Sequence, residues 1–184
     1  MVLREKLYTF DEFWDFARLP ENENRRLELD NGVIVEMAAS TPLDTVTAGR
    51  ILYFLNTFVI PRDLGYVTGA DGGFKLAQKR SRQPDVGFIS KARQPHLPKR
   101  FDLPPDLAVE VVSEDEDILK KAHEYLTAGT KMVWAVYAED RTVYVMTLDE
   151  KGAIISLPFT GDDVLDGGDV LPGFRLAVKD IFPE

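Results

Sequence analysis

A lone carboxylate interrupts an otherwise apolar run, Leu107-Ala108-Val109-Glu110-Val111-Val112-Ser113. Burying an ionised glutamate among valines costs several kcal/mol unless a cation or hydrogen bonds compensate it. On a strand, Asp106, Ala108, Glu110 and Val112 share one face, while Leu107, Val109 and Val111 share the other. A second acid, Asp85, follows Pro84 at the head of another apolar run, Val86-Gly87-Phe88-Ile89. If the two runs form adjacent strands, Asp85 and Glu110 stand at similar height. They could then bind one Mg²⁺ through oxygens, with the backbone carbonyl of Val111 as a further ligand. A purely structural reading of the same acids has Asp85 capping a turn and Glu110 paired with an arginine.

Asp117-Ile118-Leu119-Lys120-Lys121 opens an amphipathic helix. Asp117 and Lys121, four residues apart, lie on one face. Ile118, Leu119, Ala122, Tyr125 and Leu126 make the apolar stripe, with Lys121 at its edge. From there an amine can point along the sheet end towards Glu110, or it can simply be solvated. Lys120 falls on a different face and is expected to reach solvent. Glu28 alternates with leucines in Arg26-Leu27-Glu28-Leu29-Asp30, so by position alone it is an ordinary polar-face acid, as is Glu36. His96 and His123 have no partner at a useful spacing. No Gly-x-Ser-x-Gly elbow surrounds Ser113, and Asp71-Gly72-Gly73 reads as a turn rather than a phosphate loop.

The elements that must position these residues follow from pattern. Thr9, with Glu12 three residues on, signals a capped helix over residues 9–16. Asp30-Asn31-Gly32 joins two short runs, 25–29 and 33–37, as a hairpin. Helical spacing of Ile51, Leu52, Leu55, Phe58 and Val59 predicts a helix over 44–58, stopped by Pro61. Strands are expected at 73–77, 85–90 and 107–113, with a proline-rich loop between the last two. A helix over 116–128, ended by Gly129, leads to a strand at 133–137 and a hairpin at 141–148 and 153–159. The tail suggests one last strand or short turn. The layout is a mixed α/β (α+β) fold in one domain spanning 1–184. The run at 107–113, the following helix and the strand at 133–137 form a parallel crossover.

Composition narrows the chemistry. With 184 residues, 45% hydrophobic and 29% charged, the chain suits one ordinary globular domain. It has no cysteine, which excludes disulfides and thiolate metal sites and disfavours zinc. Neither a secretory signal nor an apolar run of membrane-spanning length is visible, and a cytoplasmic location is expected. A net charge of −9 argues against a nucleic-acid partner. Yet Lys75, Lys79, Arg80, Arg82, Lys91, Arg93, Lys99 and Arg100 surround a single acid, Asp85. Such a stretch suits a polyanionic substrate, and equally a solvated loop surface.

Pro84-Asp85 followed by Asp106 to Ser113 resembles the PD-(D/E)XK restriction-endonuclease-like superfamily. More narrowly, the chain is similar to the bacterial Uma-two family of endonucleases. Supporting stretches are Leu27 to Met37, Gly49-Arg50-Ile51, Tyr125 to Gly129 followed by Trp134, Leu171-Pro172-Gly173-Phe174 and Ile181-Phe182. Together these cover nearly the whole chain. The resemblance implies a mixed central β-sheet flanked by helices, with an N-terminal helix and hairpin and a C-terminal hairpin. It also implies Mg²⁺-dependent hydrolysis of phosphodiester bonds, with Mn²⁺ as a possible substitute and DNA as the expected nucleic-acid substrate. Carried over by position, Asp85 is the aspartate of the PD motif and Glu110 the acid of the (D/E)XK element. Glu28 matches an N-terminal acid of the same site. The lysine two after that acid is replaced by Val112, and Lys121 on the next helix takes its place. Asp44 stands where relatives carry histidine. By analogy with duplex-cutting enzymes, a homodimer is expected. The alternative is a non-catalytic binding or assembly module that keeps the fold, which the acidic charge and Asp44 favour. A two-carboxylate glycosidase is weaker, because it leaves Lys121 and the basic stretch unused.

Overall fold

The computed structural model describes residues 6–113 and 117–184. Helix α1 (Phe10–Ala17) starts at the expected capping box, Thr9 with Glu12, and buries Phe10 and Phe13. Strands β1 (Leu27–Asp30) and β2 (Val33–Glu36) pair antiparallel through a two-residue turn. Asn31 and Gly32 there both take positive φ, 50° and 86°, as that tight turn demands. Helix α2 (Pro42–Val59) begins two residues earlier than its apolar spacing predicts. Thr41 caps it reciprocally with Asp44, and Pro42 occupies the first turn, where a missing N–H costs nothing.

The remaining elements are strands β3 (Gly65–Thr68), β4 (Phe74–Ala77), β5 (Arg80–Arg82), β6 (Val86–Ser90) and β7 (Leu107–Val111), then helix α3 (Ile118–Ala128). Strands β8 (Met132–Tyr137), β9 (Thr142–Leu148), β10 (Ile154–Thr160), β11 (Val164–Gly167) and β12 (Leu171–Ala177) follow, and helix α4 (Val178–Ile181) closes the order. The central sheet runs β10-β9-β8-β7-β6-β3. Within it β7 and β8 are parallel, with α3 as the expected crossover, and the other pairs are antiparallel. A smaller sheet runs β2-β1-β5-β4, and β11 pairs with β12.

Two apolar layers sandwich the central sheet. On one face Ile51, Leu55 and Val59 of α2 pack with Val109, Trp134, Phe174 and Ile181. On the other, Ile118, Ala122, Tyr125 and Leu126 of α3 cover Ala108, Val133 and Ala135. Helix α3 touches both sheets, so its buried arc is wide and includes Lys121 and Glu124. Leu119, expected in the apolar stripe, instead faces out at 61% exposure. Residue 116, the expected first residue of this helix, lies outside the described residues, and Asp117 is the observed N-cap. None of the described helices is long and apolar enough to cross a membrane.

Two details pin the strands that carry the candidate acids. At Gly87 of β6, an added Cβ would lie 2.6 Å from the Phe74 ring and 2.9 Å from Thr68 Oγ1, so this close approach requires glycine. At the start of β7, buried Asp106 accepts the Ser90 N–H at 2.8 Å and Arg93 Nη1 at 3.1 Å. Its carbonyl accepts the N–H groups of Lys131 and Met132, tying β6, the proline-rich loop and β8 together.

Burial pushes the Asp106 carboxyl up, but the Ser90 amide and the Arg93 guanidinium outweigh it and hold the group below its ordinary value. A depressed carboxylate contributes stability that is complete above its unfolded value, about 3.9, and is lost as pH falls through the lower folded value. Urea unfolding at pH 7 should therefore place Asp106→Asn about 1–3 kcal/mol below the wild type. The gap should shrink as pH falls below about 4.

Candidate active site

Strand register decides where the two acids meet. Val86 pairs with Val109 and Gly87 with Ala108, so continuing the antiparallel ladder sets Asp85 opposite Glu110. Asp85 Oδ2 accepts the Val111 N–H at 2.8 Å, and its Oδ1 lies 3.6 Å from the Arg26 guanidinium. Glu110, only 3% exposed, lies beneath α3. Its Oε1 accepts the Tyr125 hydroxyl at 2.7 Å, and its Oε2 lies 3.4 Å from Lys121 Nζ. Lys121 and Tyr125 are one helical turn apart, so a single face of α3 delivers both donors. Burial, followed by the Glu110 and Glu28 carboxylates, pushes the Tyr125 phenol well above its ordinary value. Tyr125 thus stays protonated and donates.

Asp85, Glu110 and Lys121 line one recess of about 110 Å³, together with Arg26, Gln83 and Ser113. All its acidic donors are hard oxygens, the kind Mg²⁺ selects. Among the described residues, no three histidines, aspartates or glutamates gather closely enough to hold a metal between them. A donor set of two carboxylates still fits, because Mg²⁺ keeps several waters and commonly takes only one or two carboxylates.

Glu28 is buried rather than on a solvated face. Its Oε2 accepts Arg82 Nη1 at 3.1 Å and its Oε1 accepts the Gln83 N–H at 2.9 Å. It borders a neighbouring recess of about 310 Å³ that shares Lys121 and Ser113 with the first. Arg82 also binds Glu124 Oε2, at 2.6 and 3.0 Å, and Asp30 at 3.3 Å. Arg80 approaches Asp30 and Glu124, and Lys120 reaches Asp30 at 2.6 Å. Lys120 stays exposed, as expected, while its amine joins the edge of this network. Burial pushes the Asp30 carboxyl up, but the hydrogen bond from Lys120 and the charges of Arg82, Lys120 and Arg80 hold it below its ordinary value. Three acids and three cations thereby balance at the junction of β1, β5 and α3.

Other expectations change on inspection. Asp117, expected to face Lys121, caps α3 by accepting the Lys120 N–H. Asp44 borders the small recess, with its carboxylate turned to Thr41 as a helix cap. The basic stretch is largely consumed internally. Arg82 and Arg80 join the buried network, Arg93 binds Asp106, Lys91 binds Asp63, and Arg100 binds Asp11 and Asp102. Sequence reasoning missed Arg82, Glu124, Tyr125 and Gln83 as parts of the site. Glu124 alone carried a signal, as an acid within the helical arc that also holds Lys121 and Tyr125.

The fold has a close solved counterpart. A crystal structure described as that of a "putative nuclease" from Anabaena variabilis superposes with a TM-score of 0.80 and 22% identity. The match covers 95% of this chain and 97% of that one. At that identity the likeness speaks for the mixed α/β architecture, a central mixed sheet flanked by helices. A family model described as "Putative restriction endonuclease" matches residues 13–179, and the chain belongs to that family, Uma2. No curated protein matches it significantly in sequence.

The buried network makes a strong demand on its central guanidinium. Arg82→Met should leave Glu28 and Glu124 under-compensated and cost about 3–5 kcal/mol in chemical denaturation. Adding Glu28→Gln should recover part of that loss, because one stranded charge is then gone.

Proposed function

We propose that this chain is a metal-dependent nuclease that hydrolyses phosphodiester bonds in DNA. The observation that carries the reading is that Asp85, just ahead of β6, and Glu110 of β7 line one recess, with Lys121 Nζ 3.4 Å from Glu110. The Uma2 family description supports a nucleic-acid substrate. In this reading Asp85, Glu110 and the Val111 carbonyl hold Mg²⁺, with Mn²⁺ able to replace it. Bound there, the cation would polarise the scissile phosphate and lower the pKa of an attached water.

The chain's own residues prepare that chemistry. Tyr125 fixes the rotamer of Glu110, and the Val111 N–H fixes Asp85, so both oxygen donors are oriented in advance. Lys121 supplies a positive charge for the phosphoryl oxygens or orients the attacking water. Glu28 acts one step back. By accepting the Gln83 N–H it holds the Gln83-Pro84-Asp85 segment that delivers Asp85.

Purified protein with plasmid or single-stranded DNA and Mg²⁺ or Mn²⁺ tests the reading directly. Cleavage by the wild type should fall by more than about 100-fold in Asp85→Ala, the scale lost with one charge-stabilising group. Equal cleavage by both proteins would identify a contaminant and overturn the proposal.

The ion-paired basic stretch and the Asp44 helix cap favour a second reading, a binding or assembly module that keeps the fold without catalysis. Titration calorimetry separates the two. The nuclease reading expects Mn²⁺ uptake by the wild type that disappears in the Asp85→Asn, Glu110→Gln double variant. A wild type that binds no Mn²⁺ leaves the module reading standing.

A further inference from the structure

Each acid of the candidate site faces a cation. Lys121 Nζ stands 3.4 Å from Glu110 Oε2, and Arg26 Nη2 stands 3.6 Å from Asp85 Oδ1. Arg26 lies in the wall of the recess with its side chain 28% exposed. Among the described residues its guanidinium makes one hydrogen bond, Nη1 to Ser40 Oγ at 3.1 Å, and its approach to Asp85 is longer than a hydrogen bond. The nearby Arg82 differs. It is buried and uses Nε, Nη1 and Nη2 in hydrogen bonds to Glu28 and Glu124. A guanidinium is shaped to hold two oxygens at once, so Arg26 is under-used where it lies. The Val111 N–H fixes Asp85 Oδ2, so Oδ1 is the oxygen turned to Arg26. A divalent cation taken up at Asp85 would meet that guanidinium at close range and be repelled by it. Asp44, the third acid of the recess wall, is turned to Thr41 and does not offset that charge at Asp85.

We propose that Arg26 is an exchangeable counter-cation of Asp85, which yields the carboxylate to a divalent metal ion and turns to the non-bridging oxygens of the phosphodiester bound beside it. The inference rests on the nuclease reading and deepens it. With Lys121 and Arg26 balancing Glu110 and Asp85, the site holds a divalent ion weakly until an anion compensates the displaced guanidinium. Metal and DNA binding thereby reinforce each other, with Arg26 as the group that couples them.

Titration calorimetry of the full chain with Mn²⁺ alone tests the exchange without any cleavage. Arg26→Gln and Arg26→Met should each bind Mn²⁺ about fivefold or more tightly than the wild type. Arg26→Lys keeps the charge and should stay within about threefold of it. A folding defect only weakens uptake, so a gain cannot come from one. Equal or weaker uptake by both neutral variants overturns the exchange. If wild-type uptake still depends on Asp85, the nuclease reading survives that result. Uptake by neither the wild type nor the neutral variants overturns both. Plasmid cleavage at saturating Mn²⁺ tests the turn to phosphate. There Arg26→Gln should cut about tenfold or more slowly despite its tighter metal. Tighter Mn²⁺ with an undiminished cleavage rate overturns the phosphate contact.

Discussion

A buried carboxylate has to be matched, and in this fold Glu110 sets that requirement. Its strand lies beneath α3, where water cannot solvate both oxygens. Tyr125 satisfies one oxygen and Lys121 faces the other. Both donors come from one face of the crossover helix between β7 and β8, so the element that closes the parallel unit also completes the polar site. A helix with leucine at those two positions would pack over Ala108 equally well, but it would strand a charge.

The same helix joins the two sheets. Its second polar edge, Lys120 and Glu124, engages Asp30 of β1 and Arg82 of β5. An apolar junction of that shape would serve stability as well or better, since buried ion pairs seldom improve on hydrophobic packing. What the charges add is orientation. Arg82 Nη1 reaches Glu28, and Glu28 grips the main chain at Gln83, two residues before Asp85. The smaller sheet is thereby coupled to the position of a candidate ligand on the larger one.

Much of this was legible in the sequence, for identifiable reasons. The Thr9–Glu12 capping box, the Asn31-Gly32 turn and long apolar periodicities are local signals, and they located α1, the first hairpin, α2, α3 and the parallel crossover, though the Thr41–Asp44 box that starts α2 went unread. Asp85 and Glu110 stood out because acids inside apolar runs demand compensation. The elements that escaped carry weak local patterns. Strand β5 is Arg80-Ser81-Arg82, with no apolar residue, and β3 has only four residues. The β11–β12 hairpin was anticipated only as a last strand or turn. Arg82 was read only as one charge of a basic stretch, because its burial depends on two sheets meeting; Glu124 passed unremarked, its one signal being its place in the buried arc of α3. Tyr125 was read as apolar because its position lies on the buried face, and only its hydroxyl reveals the second role.

Gly87 has a wider consequence. Because the Phe74 ring and Thr68 crowd its backbone, sliding β6 by a single step would push a valine or phenylalanine into space that admits only hydrogen. Misaligned pairing is therefore sterically blocked, and the contact of Arg93 with Asp106 is the connection's own contribution to the register. Beyond the Arg93 anchor, that connection can lengthen or change over evolutionary time without moving the two acids.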